Sequence, residues 1–323
     1  MSQRAINVIR NIPRSRTNIG LAGVMDVEIL AESYLHIGSG EELVLKKDTL
    51  KEFIKNIKDI KNIKDIDKLR KIDIFEERMQ FNLYKSIPII PGSSIKGNIR
   101  ARLELSFKSK NEKIRSCFIR SRAPLRGRVP FGRQGWRHFE IWKDVLFENR
   151  GMPCDLTRMD KVCLICDIFG TTGLRSLVEF GDFYGLNVNL IPLNLDYGMK
   201  IYAVEPGSKF HGKINFFNLE ESDLGLLMIG MRVGKSVLLG RLKYRKEISG
   251  YVFGRIKYLI NSIRLLNESR GLKIDELSIE PGEKIETQKL TMLIEKLKDH
   301  TLKKYNGEIL DIDEVNRIEQ LQD

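Results

Sequence analysis

The chain has 323 residues, 42% hydrophobic and 30% charged, which is enough apolar material for one large domain with insertions or for two domains. Fifty-five Lys and Arg against 43 Asp and Glu give a net charge of +12, pointing to a polyanion partner, of which nucleic acid is the commonest. No run approaches the ~20 uninterrupted apolar residues of a membrane span. The opening "MSQRAINVIRNIPRSRTNIG" has cations but no apolar core, so neither a membrane segment nor a secretory signal is expected and a cytoplasmic setting is the default.

The first element in chain order is "GVMDVEILAESYLHIG", which alternates like a half-buried strand and turns at Gly38-Ser39-Gly40. The run Lys51 to Lys71 then reads as an inserted helix. Its isoleucines at 54, 57, 60, 63 and 66 recur every three residues, so on a helix of 3.6 residues per turn the stripe is slanted. A packing helix, a partner-binding surface and compositional drift all fit that pattern. "MQFNLYKSIPII" predicts a hairpin that feeds a helix. In "IIPGSSIKGNIRARLE", Pro91-Gly92 ends the strand and Ser93 or Ser94 can cap a helix whose buried stripe is Ile95, Ile99 and Leu103. A helix start with free N–H groups, two hydroxyls and the cations Lys96 and Arg100 suits a phosphate; an ordinary capped helix with a solvated basic face fits equally well.

Residues 115–137, "RSCFIRSRAPLRGRVPFGRQGWR", are rich in arginine, hold no acidic residue, and are kept from a regular helix by proline and glycine. Arg126, Arg128 and Arg133 are candidates for phosphate contact, and Phe131 and Trp136 offer stacking faces. "CDLTRMDKVCLIC" follows, placing Cys154, Cys163 and Cys166 where three thiolates can share a tetrahedral structural zinc. Cys117, His138 or solvent can supply the fourth ligand. Small residues buried in a core are the competing explanation.

"SLVEFGDFYG" and "KFHGKINFFNL" read as strands, "EESDLGLLMIGM" as a helix with an acidic start, and "VLLGRLKYR" and "YVFGRIKYLI" as further strand material. The resulting order is the βαββαβ of an α+β, ferredoxin-like (RRM-like) sandwich. It spans residues 20–262, interrupted by a helical insertion at 51–80 and an Arg-rich, zinc-bearing insertion at 106–166. A helical extension at 266–323 carries the amphipathic "KLTMLIEKLKDHTLKKY". Two tempting motifs fail. "GMRVGKS" has three residues between its glycines where a nucleotide-binding phosphate loop has four, and His36 alone in "YLHIGSG" is more often structural than a general base.

Five stretches, in order, resemble the RAMP superfamily of CRISPR-associated proteins: "LHIGSG", "IPGSSIKGNIRARLE", "CLICDIFGTTG", "VEPGSKFHGKINF" and "LLGRLKYRKEISGYVFGRIKYL". Together they span most of residues 24–262, and they are most similar to the backbone subunit of type III effector complexes. The insertion at 51–80, a glycine-poorer C-terminal loop and the tail beyond 266 depart from that pattern. The resemblance implies a subunit that holds CRISPR RNA, pairs it with target RNA and assembles with other subunits, with Ser93, Ser94, Lys96 and Arg100 against RNA phosphates. It further implies target-RNA cutting by an acidic residue in the loop after the first strand, which here begins after His36 and runs into the insertion, with a divalent cation such as magnesium or manganese. Asp48 is nearest that offset, with Glu41, Glu42, Glu76 and Glu77 as the other candidates. The alternatives are a CRISPR RNA-processing endoribonuclease of the same superfamily with His36 as acid or base, and a non-catalytic zinc-stabilised RNA-binding module.

Overall fold

A computed structural model describes residues 6–45, 47–58, 75–119, 128–196 and 199–321. Its elements make a mixed α+β architecture with several sheets. The long strand β1 (Leu21–Ala31) alternates as expected, and Met25, Val27, Ile29 and Ala31 are at most 1% exposed on one face.

After β1 the chain makes β2 (Gly38–Leu45), α1 (Lys47–Lys58) and β3 (Phe75–Phe81), then β4 (Ile87–Ile90), which leads into α2 (Gly92–Ser106). Helices α3 (Trp136–Leu146) and α4 (Leu164–Phe169) follow. The next strands are β5 (Val178–Phe180), β6 (Phe183–Tyr184), β7 (Leu190–Asn194), β8 (Lys200–Val204) and β9 (Lys209–Leu219). Helix α5 (Glu221–Met231), strands β10 (Ser236–Leu238) and β11 (Arg255–Leu265), and helices α6 (Thr287–Lys304) and α7 (Glu314–Glu319) complete the chain.

In the main sheet the strand order runs β10-β11-β1-β9-β6-β4, with β5 also on β9. Strand β1 is antiparallel to both neighbours, Met25 opposite Ile214 on β9 and Ile29 opposite Tyr258 on β11. Helices α2 and α5 pack against each other, and their buried stripes join the apolar face of β1 in one core. Ile95, Ile99 and Leu103, the stripe read from the sequence, are each 0% exposed and share one core with Leu224, Leu227, Met228 and Met231. Gly230 makes this approach possible, since a Cβ there would lie 2.8 Å from Ile99.

Three local expectations change. The segment after Gly38 is not a loop: β2 pairs with β3 (Leu43 opposite Glu77), inside a four-stranded sheet ordered β7-β8-β3-β2. The hairpin expected at 79–90 is smaller, because β3 joins that second sheet and only Leu83–Tyr84 folds back on β4. "VLLGRLKYR" is strand only through Leu238; the rest is a loop. The region beyond 266 also holds three short strands, Leu272–Ile274, Leu277–Ile279 and Lys284–Ile285, before its helices, the last of them paired with β11. The Ile/Lys run is helical in α1 up to Lys58, and Ile60, Ile63 and Ile66 lie outside the described residues. No described helix is long and apolar enough to cross a membrane.

Candidate nucleic-acid interface and metal centre

Sequence stretches far apart in the chain converge on one cleft of about 350 Å³. Its walls are His36, Ile37 and Gly38 after β1, one face of α2 (Ser94, Gly97, Asn98, Ala101, Arg102), and the loop after β10 (Leu239, Gly240, Arg241, Lys243, Tyr244). His138 and Trp142 of α3 and Glu314 of α7 close it.

Local backbone chemistry explains the convergence. Helix α2 starts at Gly92, one residue after the N-cap Pro91, and no side chain caps it, so Ser93 and Ser94 are not the caps the sequence suggested. The Gly92 N–H donates to Asp182 (2.9 Å), and a Cβ at Gly92 would lie 2.1 Å from the Phe180 carbonyl, so only glycine lets the helix start press against the sheet. The first turn holds no acidic residue. The Asp182 carboxylate takes the Gly92 amide, and the Ser94 and Ile95 amides donate to the Pro91 carbonyl, so it is the Ser94 hydroxyl that this helix start offers to the cleft. Opposite, the Arg241 N–H donates to the His36 carbonyl (3.1 Å). Gly240 (φ +84°) leaves no room there for a side chain, which would lie 2.5 Å from the same oxygen.

His36 is fully buried, and its Nδ1 donates to the Tyr202 carbonyl at 2.6 Å. Burial, opposed by that hydrogen bond and reinforced by Arg241, holds its pKa below the usual histidine value. The ring is thus neutral near pH 7, and Nε2 is an acceptor with no partner among the described residues. Burial also lowers the pKa of Lys243, opposed by Glu314. Its Nζ lies 5.2 Å from the Tyr244 ring centroid.

The structure separates the four α2 residues grouped from sequence. Ser94 lines the cleft and Ser93 is exposed beside it. Arg100 turns the other way, donating to Glu104 (2.8 Å), the Gly170 carbonyl (2.7 Å) and Cys166 Sγ (3.2 Å). Lys96 shares that side, where burial and Arg100 lower its pKa and Glu179 opposes them. Of the arginine loop, Arg133 is exposed, Arg128 pairs with Glu140 (3.1 Å), and Arg126 lies outside the described residues. Sequence reading missed Asn98, Arg102, Lys243 and Tyr244. The first two follow Ser94 at the i+4 and i+8 positions of one helix face, a signal that was available. Asp48 is the second residue of α1, and Glu41, Glu42, Glu76 and Glu77 lie on the paired strands β2 and β3. The side chains of these five acids are outside the described set.

Behind Arg100 lies the candidate metal centre. Cys117, Cys154, Cys163 and Cys166 are all buried, form no disulfide, and bring their four sulfurs within 4.8 Å of one another. Cys117 is thus the fourth member; His138 bonds Tyr244 instead (3.1 Å). Two measured Sγ–Sγ separations are 3.5 and 3.7 Å. A tetrahedral Zn–S₄ site with bonds of about 2.3 Å has edges of about 3.8 Å, so the donor set fits such an ion. Arg10 donates to Cys154 Sγ (3.4 Å) and Arg100 to Cys166 Sγ, and the amides of Cys117 and Cys163 donate to further sulfurs (3.4 and 3.2 Å). With a divalent ion bound, Arg10 and Arg100 would offset the charge that four thiolates leave around it. Hydrogen bonding among the thiols, that between Cys117 and Cys154 foremost, pushes the Cys154 thiol down and the Cys117 thiol up.

A family model described as the RAMP superfamily matches residues 28–313. Among solved structures, a chain of a Type IV-B CRISPR Complex is similar over 74% of this chain and 90% of its own, with 13% identity and a TM-score of 0.35. No curated protein matches.

Proposed function

This chain belongs to the RAMP superfamily, and from that premise we propose that it is a CRISPR RNA-binding backbone subunit of a type III interference complex. The observation that carries the reading is the convergence on one cleft of "LHIGSG", "PGSSIKGNIR" and "LLGRLKYR", the stretches whose resemblance suggested RNA binding. Phosphates sit at the α2 start, on the Ser93 and Ser94 hydroxyls, with Arg241 and Lys243 facing them. His36 Nε2 accepts a hydrogen bond from the ribose or base. Arg128 and Arg133 extend the positive surface, Arg126 stays a candidate phosphate contact from the sequence alone, and Lys96 and Arg100 shape the back of α2. The core around the cleft is ferredoxin-like: strand order β11-β1-β9-β5, with α2 and α5 between strands, supports that description.

A structural zinc on the four cysteines staples the insertion to α2 through Arg100 and to the N-terminal arm through Arg10. When bound, it supplies cross-linking free energy and no reaction chemistry. Cutting of paired target RNA is part of the proposal: Asp48 would hold magnesium or manganese, which would supply charge neutralisation at phosphate, and a ribose 2′-hydroxyl would displace the 5′-oxygen of the next nucleotide to leave a 2′,3′-cyclic phosphate and a 5′-hydroxyl. The test is the composition of the protein purified natively from its host. A particle of several different subunits with bound RNA supports the backbone role. A free monomer that cuts repeat RNA overturns it in favour of a processing endoribonuclease, for which the unpartnered His36 Nε2 at the cleft is the favouring observation.

A further inference from the structure

Phe131 is 66% exposed, the most exposed large aromatic side chain among the described residues. It is also held in place. Its ring stands edge-on to Trp136, with centroids 4.6 Å apart and planes at 70°, and Trp136 itself is 7% exposed. The turn that presents it is closed by two backbone bonds, Arg133 N–H to the Pro130 carbonyl (3.2 Å) and Trp136 N–H to the Arg133 carbonyl (3.0 Å). On one side of the turn, Val129 packs against the cluster containing Phe118, Phe139 and Trp142. The Arg128–Glu140 pair ties the same side to α3.

An aromatic ring fixed in solvent forgoes burial, and a lone exposed ring on a soluble protein needs no explanation by itself. The surroundings add the chemistry. Arg128 and Arg133 are exposed next to it, and the Arg137 guanidinium lies 5.7 Å from the Trp136 ring centroid. An exposed apolar ring on a turn that also carries guanidinium groups suits a flat, aromatic unit on an anionic polymer. It does not suit an apolar peptide, whose approach would desolvate those charges without pairing them. The same helix that supports the ring carries His138 and Trp142 into the cleft, and Trp136 is two residues from His138.

We propose that Phe131 is a stacking platform for one unpaired nucleobase of the RNA strand bound at the cleft. The inference rests on the RNA-binding reading and names what this part of the surface takes: a base, in addition to phosphates. A ring fixed by two turn bonds and an aromatic partner loses little freedom on stacking, so its contribution to binding is large for one side chain.

The test uses the full chain and single-stranded RNA oligonucleotides carrying 2-aminopurine at one position, moved stepwise along the strand. The wild-type chain is expected to quench the probe at a defined position, and Phe131→Ala to lose that quench and bind roughly tenfold more weakly. Phe131→Leu, which keeps an apolar cover on Trp136, behaves like the alanine variant, and Phe131→Trp like the wild type. The slope of log affinity against log salt stays the same in all three, because stacking releases no counterions. If Phe131→Ala and Phe131→Leu bind and quench as the wild type does, the ring is only a cover for Trp136 and the inference is overturned. Absence of RNA binding by the wild type overturns the RNA-binding reading and this inference with it.

Discussion

Glu314 on α7 meets Arg102 on α2 at 2.7 Å, and both side chains are 4% exposed. The same Glu314 oxygen accepts the Leu238 amide, also at 2.7 Å, while Arg102 donates to the Gly230 carbonyl (2.6 Å). One carboxylate thus fastens the C-terminal extension to α2 and to the strand end from which the cleft loop departs.

Truncating one partner leaves the other charge buried and unpaired, so Glu314→Ala is expected to lose about 3–5 kcal/mol of stability in urea unfolding. The double variant Arg102→Met/Glu314→Leu loses less than the sum of the single changes. A loss below 1 kcal/mol for Glu314→Ala would show that the pair does not anchor the loop.

Metal analysis of protein prepared without added zinc should give about one equivalent per chain, absent from Cys163→Ser/Cys166→Ser. A strong chelator should lower the melting temperature and increase proteolysis around residues 106–166, because the staple contributes to folding. Metal-free protein of unchanged thermal stability would contradict the zinc assignment.

His36 predicts a pH effect with a defined sign. Burial lowers its folded-state pKa below the ordinary value of 6.5, so the unfolded chain takes up the proton first. Stability is therefore full above about pH 6.5 and falls as the pH drops below it. Denaturation curves between pH 7.5 and 5 should show a loss that His36→Gln does not share. Equal slopes in the two proteins would mean that His36 is not held neutral.

The buried stripe of α2, the alternation of β1 and the three clustered cysteines were legible because each obeys a local rule: 3.6-residue spacing, two-residue spacing, ligand spacing. Cys117 was not assignable, since it lies 37 residues from Cys154 and only the fold brings them together. Arg100 was misgrouped with Ser94 because charge alone does not reveal which helix face a residue occupies. Its i+4 partner Glu104, paired at 2.8 Å, marks the inward side. Strand β2 was read as a loop because Gly38-Ser39-Gly40 is a strong turn signal, overridden here by pairing with β3, a partner 30 or more residues away.

For Asp48, assembled complex carrying Asp48→Ala should bind target RNA normally but fail to cut it in magnesium or manganese. Persistence of every regularly spaced cut would remove Asp48 from the reaction.

The most direct test of the central claim compares RNA affinity across salt concentrations for the wild type and for Arg241→Ala/Lys243→Ala, two cleft residues outside the apolar clusters that Leu239, Leu242 and Tyr244 of the same loop join. Each lost phosphate contact on single-stranded RNA reduces the log–log salt slope by about 0.7. The double variant should bind all RNA sequences more weakly and show a slope shallower by about 1.4. An unchanged affinity and slope, with the fold intact, would mean that RNA does not occupy the cleft.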